Sequence, residues 1–210
     1  MNNYATTRRR GRPNRTQPRE AKQVGRDQLQ RASLSESSES INRKMASDEF
    51  RLVSLAINHE GRLPRKFTDE GQGALKNVSP PLEWYNVPDG TESLALVVQD
   101  IDAPDPSSPI VPWTCWVVAN IPPNPKGFPE GFSGKGEKAG KDYAGIQEGY
   151  NDNKVPGWRG PVLPNHGHRF EFKLYALDSM LHLGHKVTKE KLLEAIDGHV
   201  LGEAVLIARF

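Results

Sequence analysis

Hydrophobic residues are concentrated in five short runs that follow residue 50. The runs are rich in β-branched, aromatic and aliphatic side chains, which is typical of strands. They cover residues 50–57, 94–98, 113–121, 170–177 and 205–210. Loops dense in proline and glycine separate them, at residues 78–88, 103–112, 122–136 and 145–167. This pattern predicts a mainly β domain of antiparallel sheets, arranged as a sandwich or an open barrel.

One segment has a helical pattern instead, at residues 188–196. Thr188 can cap its first turn, and Leu192, Leu193 and Ile196 form an apolar stripe. Gly198 stands where a helix commonly ends in a left-handed residue. We therefore expect one or a few short helices, including one near residues 188–197.

The first 44 residues differ from the rest in composition. They contain six arginines between positions 8 and 19 and a serine-rich run at 33–40, with few large apolar side chains. Such a segment buries too little surface to offset the entropy of ordering. We predict a disordered basic extension at 1–44 and a folded β domain at 45–210. Two alternatives stay open: an organelle transit peptide, which the four acidic residues disfavour, and upstream sequence before a start at Met45.

The net charge of +2 conceals an uneven distribution. Residues 1–44 contain 11 Lys or Arg and 4 Asp or Glu, a net charge of +7. Residues 45–210 contain the other 17 basic and 22 acidic residues, a net charge of −5. A domain that reads DNA needs a basic face for the phosphates. The folded part is therefore not expected to bind a specific nucleic acid.

Length and composition exclude two further classes. No stretch of the 210 residues approaches the roughly 18 apolar residues that a membrane-spanning helix needs, so no transmembrane segment is expected. Cys115 is the only cysteine, which excludes a disulfide framework and fits a reducing compartment. Without the apolar core of a signal peptide, we predict a cytoplasmic location, with organelle targeting less favoured.

Asp100 is the first candidate for chemistry. Strand alternation places it in phase with the aliphatic residues Leu94, Leu96 and Val98. Such an aspartate either lies at the mouth of an apolar pocket or helps to form the turn before Pro104.

His168 opens the apolar face formed by Phe170, Phe172 and Leu174. It could present a ring N–H to an anion or carboxylate, or it could be a core histidine bonded to a backbone carbonyl. His166 and His168 could also bind a metal if Asp100 or Asp102 supplied a third ligand.

Cys115 follows Trp113 by two residues and is expected to be in phase with Trp113 and Val117. Most free cysteines are buried small apolar residues. A nucleophilic role would require a base, for which His168 is the candidate.

These segments, in this order, resemble the phosphatidylethanolamine-binding protein (PEBP) family, in particular its shorter branch found in bacteria and also in plants. The resemblance extends from about residue 50 to residue 210. Its most specific motifs are Asp100-Ile101-Asp102-Ala103-Pro104, Trp113-Thr114-Cys115-Trp116, Gly157-Trp158-Arg159-Gly160-Pro161 and Gly167-His168-Arg169. The resemblance implies two antiparallel sheets with a few helices and, at one end, a small pocket that holds a phosphoryl group or another oxyanion.

The resemblance also implies which residues line that pocket. Asp100 and His168 would be its polar residues, and Cys115 stands where most members have a second histidine. Losing one hydrogen bond to a charged ligand weakens binding roughly ten- to a hundredfold, so we expect weak anion binding. The remaining wall would come from Trp113, Gly160, Pro161 and Phe170, the last at a position often held by tyrosine.

The function implied is that of a non-enzymatic binding and regulatory protein without a cofactor. Its partners would be a small phosphoryl or oxyanion ligand and an unidentified protein, with a role such as modulation of a kinase or signalling pathway. The alternative is a small hydrolase or a metal-dependent enzyme that uses Cys115 with His168, or His166 with His168.

Overall fold

The structure, a computed structural model, describes residues 48–69, 77–104, 112–161 and 167–210. Residues 49–210 form a compact unit, the second of two along the chain. The predicted extension at 1–44 lies outside the described residues. All the strands and helices given below belong to the second unit, which is described by itself.

The described residues form nine strands, one α-helix and three short 3-10 helices. The strands are β1 (Arg51–Val53), β2 (Gly61–Arg62), β3 (Leu82–Tyr85), β4 (Ser93–Asp100), β5 (Trp113–Ile121), β6 (Gly127–Phe128), β7 (Gln147–Glu148), β8 (Arg169–Leu177) and β9 (Val200–Arg209). The α-helix α1 covers Lys189–Ala195. The 3-10 helices cover Arg65–Phe67, Gly136–Ala139 and Lys141–Tyr143.

The strands form two sheets. A six-stranded sheet has the order β2-β9-β8-β4-β5-β7, and a three-stranded sheet has the order β1-β3-β6. Neighbouring strands are antiparallel except β2 and β9, which pair in parallel through two residues each. The predicted fold class, mainly β with antiparallel sheets and few helices, is therefore confirmed. No helix within the described ranges is both long and apolar enough to cross a membrane.

Both faces of β4 are buried, because the six-stranded sheet is covered on each side. Leu96 and Val98 belong to a core that also contains Leu82 and Trp84 of the three-stranded sheet. The alternate residues, represented by Val97, pack on the opposite face in a smaller cluster that includes Leu192 and Ile196 of the α1 region. Double coverage explains the nearly continuous apolar run of this strand.

Most sequence predictions agree with these elements. The predicted strand 113–121 coincides with β5, and the predicted helix corresponds to α1, whose capping residue Thr188 accepts a hydrogen bond from the Lys191 backbone N–H. Gly198 has a φ of 79°, as a left-handed terminator requires.

The predicted strand 50–57 is shorter than expected and ends at Val53. The Ser54 hydroxyl donates to the Pro81 carbonyl at 2.6 Å and accepts from the Ala56 backbone N–H at 3.2 Å. Local side-chain bonds of this kind compete with a strand ladder, and the chain turns away at this point.

A β-bulge interrupts the pairing of β4 with β5. Val98 pairs with Trp116, but the next residue, Gln99, pairs with Thr114, so Cys115 is an extra residue on β5. Cys115 and Trp116 consequently both belong to the core between the sheets, whereas Val117 packs in the cluster that contains α1 residues. The prediction that Cys115 is in phase with Val117 is therefore wrong, because strict alternation fails at a bulge.

Candidate functional site

Three strands bring Asp100 between two aromatic residues at one end of the six-stranded sheet. Asp100 is the last residue of β4, and it pairs with Trp113 of β5 on one side and with Phe170 of β8 on the other. The expected convergence of these strand ends therefore occurs, because the two ladders align the start of β5 and the start of β8 with the end of β4.

The Asp100 carboxylate is paired with His168. Its Oδ2 atom lies 2.6 Å from the His168 Nδ1 atom, an arrangement in which the ring N–H donates to the carboxylate. Asp100 is 1% exposed and His168 is 3% exposed. The Asp100 Oδ1 atom also accepts from the Asp102 backbone N–H at 3.0 Å. Asp100 thus serves both roles considered from the sequence, forming the turn before Pro104 and facing the strand-end site.

Asp102 holds the start of β8 beside this turn. Its two carboxylate oxygens accept from the Arg169 guanidinium at 2.8 and 2.9 Å, and one of them also accepts from the Arg169 backbone N–H at 2.9 Å. The side-chain hydrogen bonds from Arg169 lower the pKa of the Asp102 carboxyl below its ordinary range. A bidentate pair of this type is geometrically specific, and it positions the neighbouring His168 next to Asp100.

A cavity of about 420 Å³ opens at this end of the sheet. Six of the seven residues predicted for the pocket line it. The seventh, His168, is not among the described wall residues, and it bonds to the wall residue Asp100. The described wall consists of Asp100, Ala103, Pro104, Trp113, Cys115, Asn153, Arg159, Gly160, Pro161 and Phe170. That these residues bind a ligand stays a prediction.

One wall of the cavity is the segment 158–161, which is attached to residues 67–69. The Trp158 indole N–H donates to the Phe67 carbonyl at 3.1 Å. Arg159 Nη2 lies 2.5 Å from Asp69 Oδ2, and the Asp69 backbone N–H donates to the Pro161 carbonyl at 2.9 Å.

Gly160 makes this attachment possible. A Cβ atom at Gly160 would lie 2.0 Å from the Phe67 carbonyl oxygen and 2.9 Å from the Thr68 Cα atom. Only a residue without a side chain allows the two backbones to approach so closely. The wall is therefore built into the backbone packing of the domain.

Cys115 has the environment of an unreactive thiol. It is 2% exposed, and its Sγ atom lies 3.7 Å from the Trp113 carbonyl oxygen. Burial raises the pKa of the Cys115 thiol strongly, and the negative charge of Asp100 adds to the effect. The nucleophile is the thiolate, so this environment disfavours the hydrolase alternative that pairs Cys115 with His168.

The metal alternative relied on His166, which lies outside the described residues, so it stays a prediction. Within the part of the chain that the structure describes, no three His, Cys, Asp or Glu side chains cluster in a way that could hold a metal ion.

Sequence reasoning missed Arg159, Asn153, Ala103 and Pro104 as wall residues. Arg159 lies in a motif that supported the family resemblance, yet it received no role. The feature of the sequence that could have indicated a role for Arg159 is a basic residue directly before Gly160 and Pro161. A loop has no periodicity from which the direction of a side chain can be predicted. The position of Arg159 in the sequence therefore did not indicate that it would line the cavity.

Comparison with known proteins gives a consistent result. The family model described as phosphatidylethanolamine-binding protein matches residues 53–210. A UPF0098 protein of Methanothermobacter thermautotrophicus is 44% identical over 159 residues, which make up 76% of this chain and 97% of the relative. A UPF0098 protein of Chlamydia pneumoniae is 32% identical over 161 residues, or 77% of this chain and 98% of that protein.

Two crystal structures resemble the fold. A PEBP homologue of Chlamydia trachomatis has a TM-score of 0.66 and 33% identity, and the match covers 78% of this chain and 98% of the homologue. E. coli YbcL, described as a new member of the mammalian PEBP family, has a TM-score of 0.65 and 27% identity, with 77% and 98% covered. These relatives are archaeal and bacterial, so the plant side of the resemblance stays a prediction. The chain belongs to the phosphatidylethanolamine-binding protein family.

Proposed function

We propose that this chain is a non-enzymatic binding protein whose strand-end cavity takes a small phosphoryl or other oxyanion ligand. The observation that carries the proposal is the cavity of about 420 Å³ that Asp100, Trp113 and Phe170 line together. Its size falls within the roughly 300–1,000 Å³ of typical small-molecule sites. Apolar walls with a few polar groups are also typical of such sites.

The chemistry of the wall supports binding over catalysis. Catalysis through Cys115 would need a thiolate, and the raised pKa of that thiol disfavours it at neutral pH. The His168 Nδ1 atom is engaged with Asp100, which fixes the orientation of the ring and leaves Nε2 as its second hydrogen-bonding nitrogen. The Asp100 and His168 side chains are buried as a pair, and Asp100 contributes to the wall of the cavity.

A regulatory role through a protein partner is the second part of the proposal. Trp113 lines the cavity and is 45% exposed, which is unusual for so large an apolar side chain. Aromatic residues at a surface depression are favoured anchors for protein partners. Family membership makes modulation of a kinase or signalling pathway in the cytoplasm the setting that we expect.

NMR titration with inorganic phosphate and with phosphoethanolamine tests ligand binding. The four tryptophans include a matched pair of probes: Trp113 lines the cavity, whereas Trp84 lies on β3 in the core between the sheets. We expect the Trp113 indole resonance to shift in a saturable manner while that of Trp84 stays in place. Absence of a selective Trp113 shift with either ligand would refute the proposed site.

The variant Cys115→His provides the contrast within this experiment. Histidine offers an N–H donor where the thiol is a weak one, so we expect tighter phosphate binding, by about tenfold. Equal or weaker binding would mean that position 115 does not face the ligand.

A further inference from the structure

Arg159 is the one basic residue among the described residues that line the cavity. A guanidinium carries a permanent charge and five N–H donors in a planar fork, which matches the oxygens of a carboxylate or phosphate. A residue type suited to binding an anion therefore lies at a position of the wall that the predicted site did not include.

The other candidate donors in the site are uncharged, weak or already engaged. The Asn153 amide and the Trp113 indole N–H of the wall carry no charge. Cys115 is a neutral thiol whose Sγ atom lies beside the Trp113 carbonyl. The Gly160 backbone N–H donates to Asn77 Oδ1 at 2.7 Å. His168 directs Nδ1 to Asp100 and is not part of the described wall. A negatively charged ligand would consequently find its principal positive partner at Arg159.

Arg159 is also held in place. Its backbone N–H donates to the Cys115 carbonyl at 2.9 Å, and its Nη2 atom donates to Asp69 Oδ2 at 2.5 Å. The bond to Asp69 restricts the rotation of the Arg159 side chain. A ligand that binds the guanidinium would therefore lose less conformational entropy in ordering it. Because this is the one side-chain bond of Arg159 to the described residues, donors remain for a ligand.

The rest of the wall is largely apolar, and it includes the Trp113 and Phe170 rings and Pro161. Inorganic phosphate would leave these surfaces in contact with water, whereas an apolar group attached to the anion would cover them. The cavity volume of about 420 Å³ has room for both parts.

From these contacts we infer that the cavity selects anions with an apolar body, such as aryl or alkyl phosphates and carboxylates, and that Arg159 binds the anionic group. This inference rests on the proposed function, because it specifies the ligand class of the same site.

The test measures binding of three probes by calorimetry: phenyl phosphate, inorganic phosphate and the neutral benzyl alcohol. The variants are Arg159→Gln and Arg159→Lys, with Arg62→Gln as the matched control. Arg62 is an exposed residue of β2 outside the cavity wall, and its replacement changes the net charge equally. Circular dichroism and thermal melting establish that each variant is folded.

We expect wild type to bind phenyl phosphate at least about fivefold more tightly than inorganic phosphate. Arg159→Gln should weaken phenyl phosphate binding about tenfold or more, while benzyl alcohol binding stays unchanged. Arg159→Lys, which keeps the charge but loses the fork, should give an intermediate affinity, and Arg62→Gln should behave as wild type.

Other outcomes separate the inference from the proposed function. If wild type binds phenyl phosphate and both Arg159 variants bind it equally well, the inference is wrong and the proposed function stands. If Arg159→Gln loses benzyl alcohol in the same proportion, Arg159 maintains the shape of the cavity and does not bind the anion. If wild type binds neither phosphate probe, the proposed function fails and the inference fails with it.

Discussion

The His168 Nδ1 atom and the Asp100 Oδ2 atom lie 2.6 Å apart although 68 positions separate the two residues in the chain. Both side chains are almost completely buried. A buried ionisable pair adds little net stability compared with an apolar pair, but removal of one partner leaves the other without compensation. The pair is therefore sensitive to single substitutions.

We expect His168→Ala to lower the free energy of unfolding by about 3–5 kcal/mol, because it removes a partner of the buried Asp100 carboxylate. Urea denaturation measures the change. His182→Ala is the matched control, since His182 is exposed, and its effect should stay within about 0.5 kcal/mol. His168→Asn retains a side-chain N–H and should recover part of the loss. Similar small losses for His168→Ala and His182→Ala would contradict the pairing.

The Cys115 thiol should be inert in the native protein at neutral pH. Burial and the nearby Asp100 charge raise its pKa, so the reactive thiolate is scarce, and the side chain is shielded from the reagent. Labelling with Ellman's reagent should proceed only after unfolding in urea, where one thiol per chain should react. Rapid labelling of the folded protein would contradict this prediction and would support the alternative in which Cys115 is a nucleophile.

The ion pair of Asp102 with Arg169 should make stability depend on acidity. The pKa of Asp102 in the folded protein is below its ordinary value of 3.8, so its stabilising contribution is complete above that value and is lost as the pH falls through the folded-state pKa. Asp102→Asn should therefore destabilise the protein at neutral pH, by about 1.5 kcal/mol. The difference from wild type should shrink under strongly acidic conditions.

Urea denaturation at neutral and acidic pH tests this dependence. Asp89→Asn is the control, because Asp89 is exposed and makes no ion pair with the described residues. A difference between wild type and Asp102→Asn that stayed constant into strong acid would exclude the ion pair as its cause.

Gly160→Ala should damage the wall of the cavity. Its methyl group would occupy the space of the Phe67 carbonyl, so the segment 158–161 would have to move, at a cost of about 1–3 kcal/mol or more in stability. Gly184→Ala is the comparison, since no atom lies within 4 Å of an added Cβ there and only its left-handed φ of 68° opposes the change. Thermal melting should rank Gly160→Ala as the more damaging; the reverse order would disprove close packing at Gly160.

The sequence predicted those parts of the fold that depend on periodicity. The alternation in residues 94–98 and 170–177 placed Asp100 and His168 in phase with aliphatic and aromatic core residues, and the ladders of β4, β5 and β8 bring those strand ends together. The family resemblance supplied further candidates, namely Trp113, Gly160, Pro161 and Phe170. Strand patterns are local properties, so one chain contains enough information to predict them.

Features that depend on contacts between distant segments could not be predicted in this way. The bulge at Cys115 exists only relative to the register of β4. The orientation of Arg159 depends on Asp69, which lies 90 positions away. The sequence left several partners open for the His168 ring, and the choice of the Asp100 carboxylate likewise follows from the three-dimensional arrangement of two strand ends.

Because of the bulge at Cys115, the two halves of β5 direct their side chains to different parts of the domain. Trp113 and the bulge residue Cys115 line the cavity, whereas beyond the bulge Val117 and Ala119 support the cluster that contains Leu192 of α1. Replacements at Trp113 and Cys115 would therefore alter the cavity wall, the site of the proposed ligand, while leaving the helix support intact. Under the proposed function, evolution could diversify the ligand along a stretch of only a few amino acids without rebuilding the scaffold.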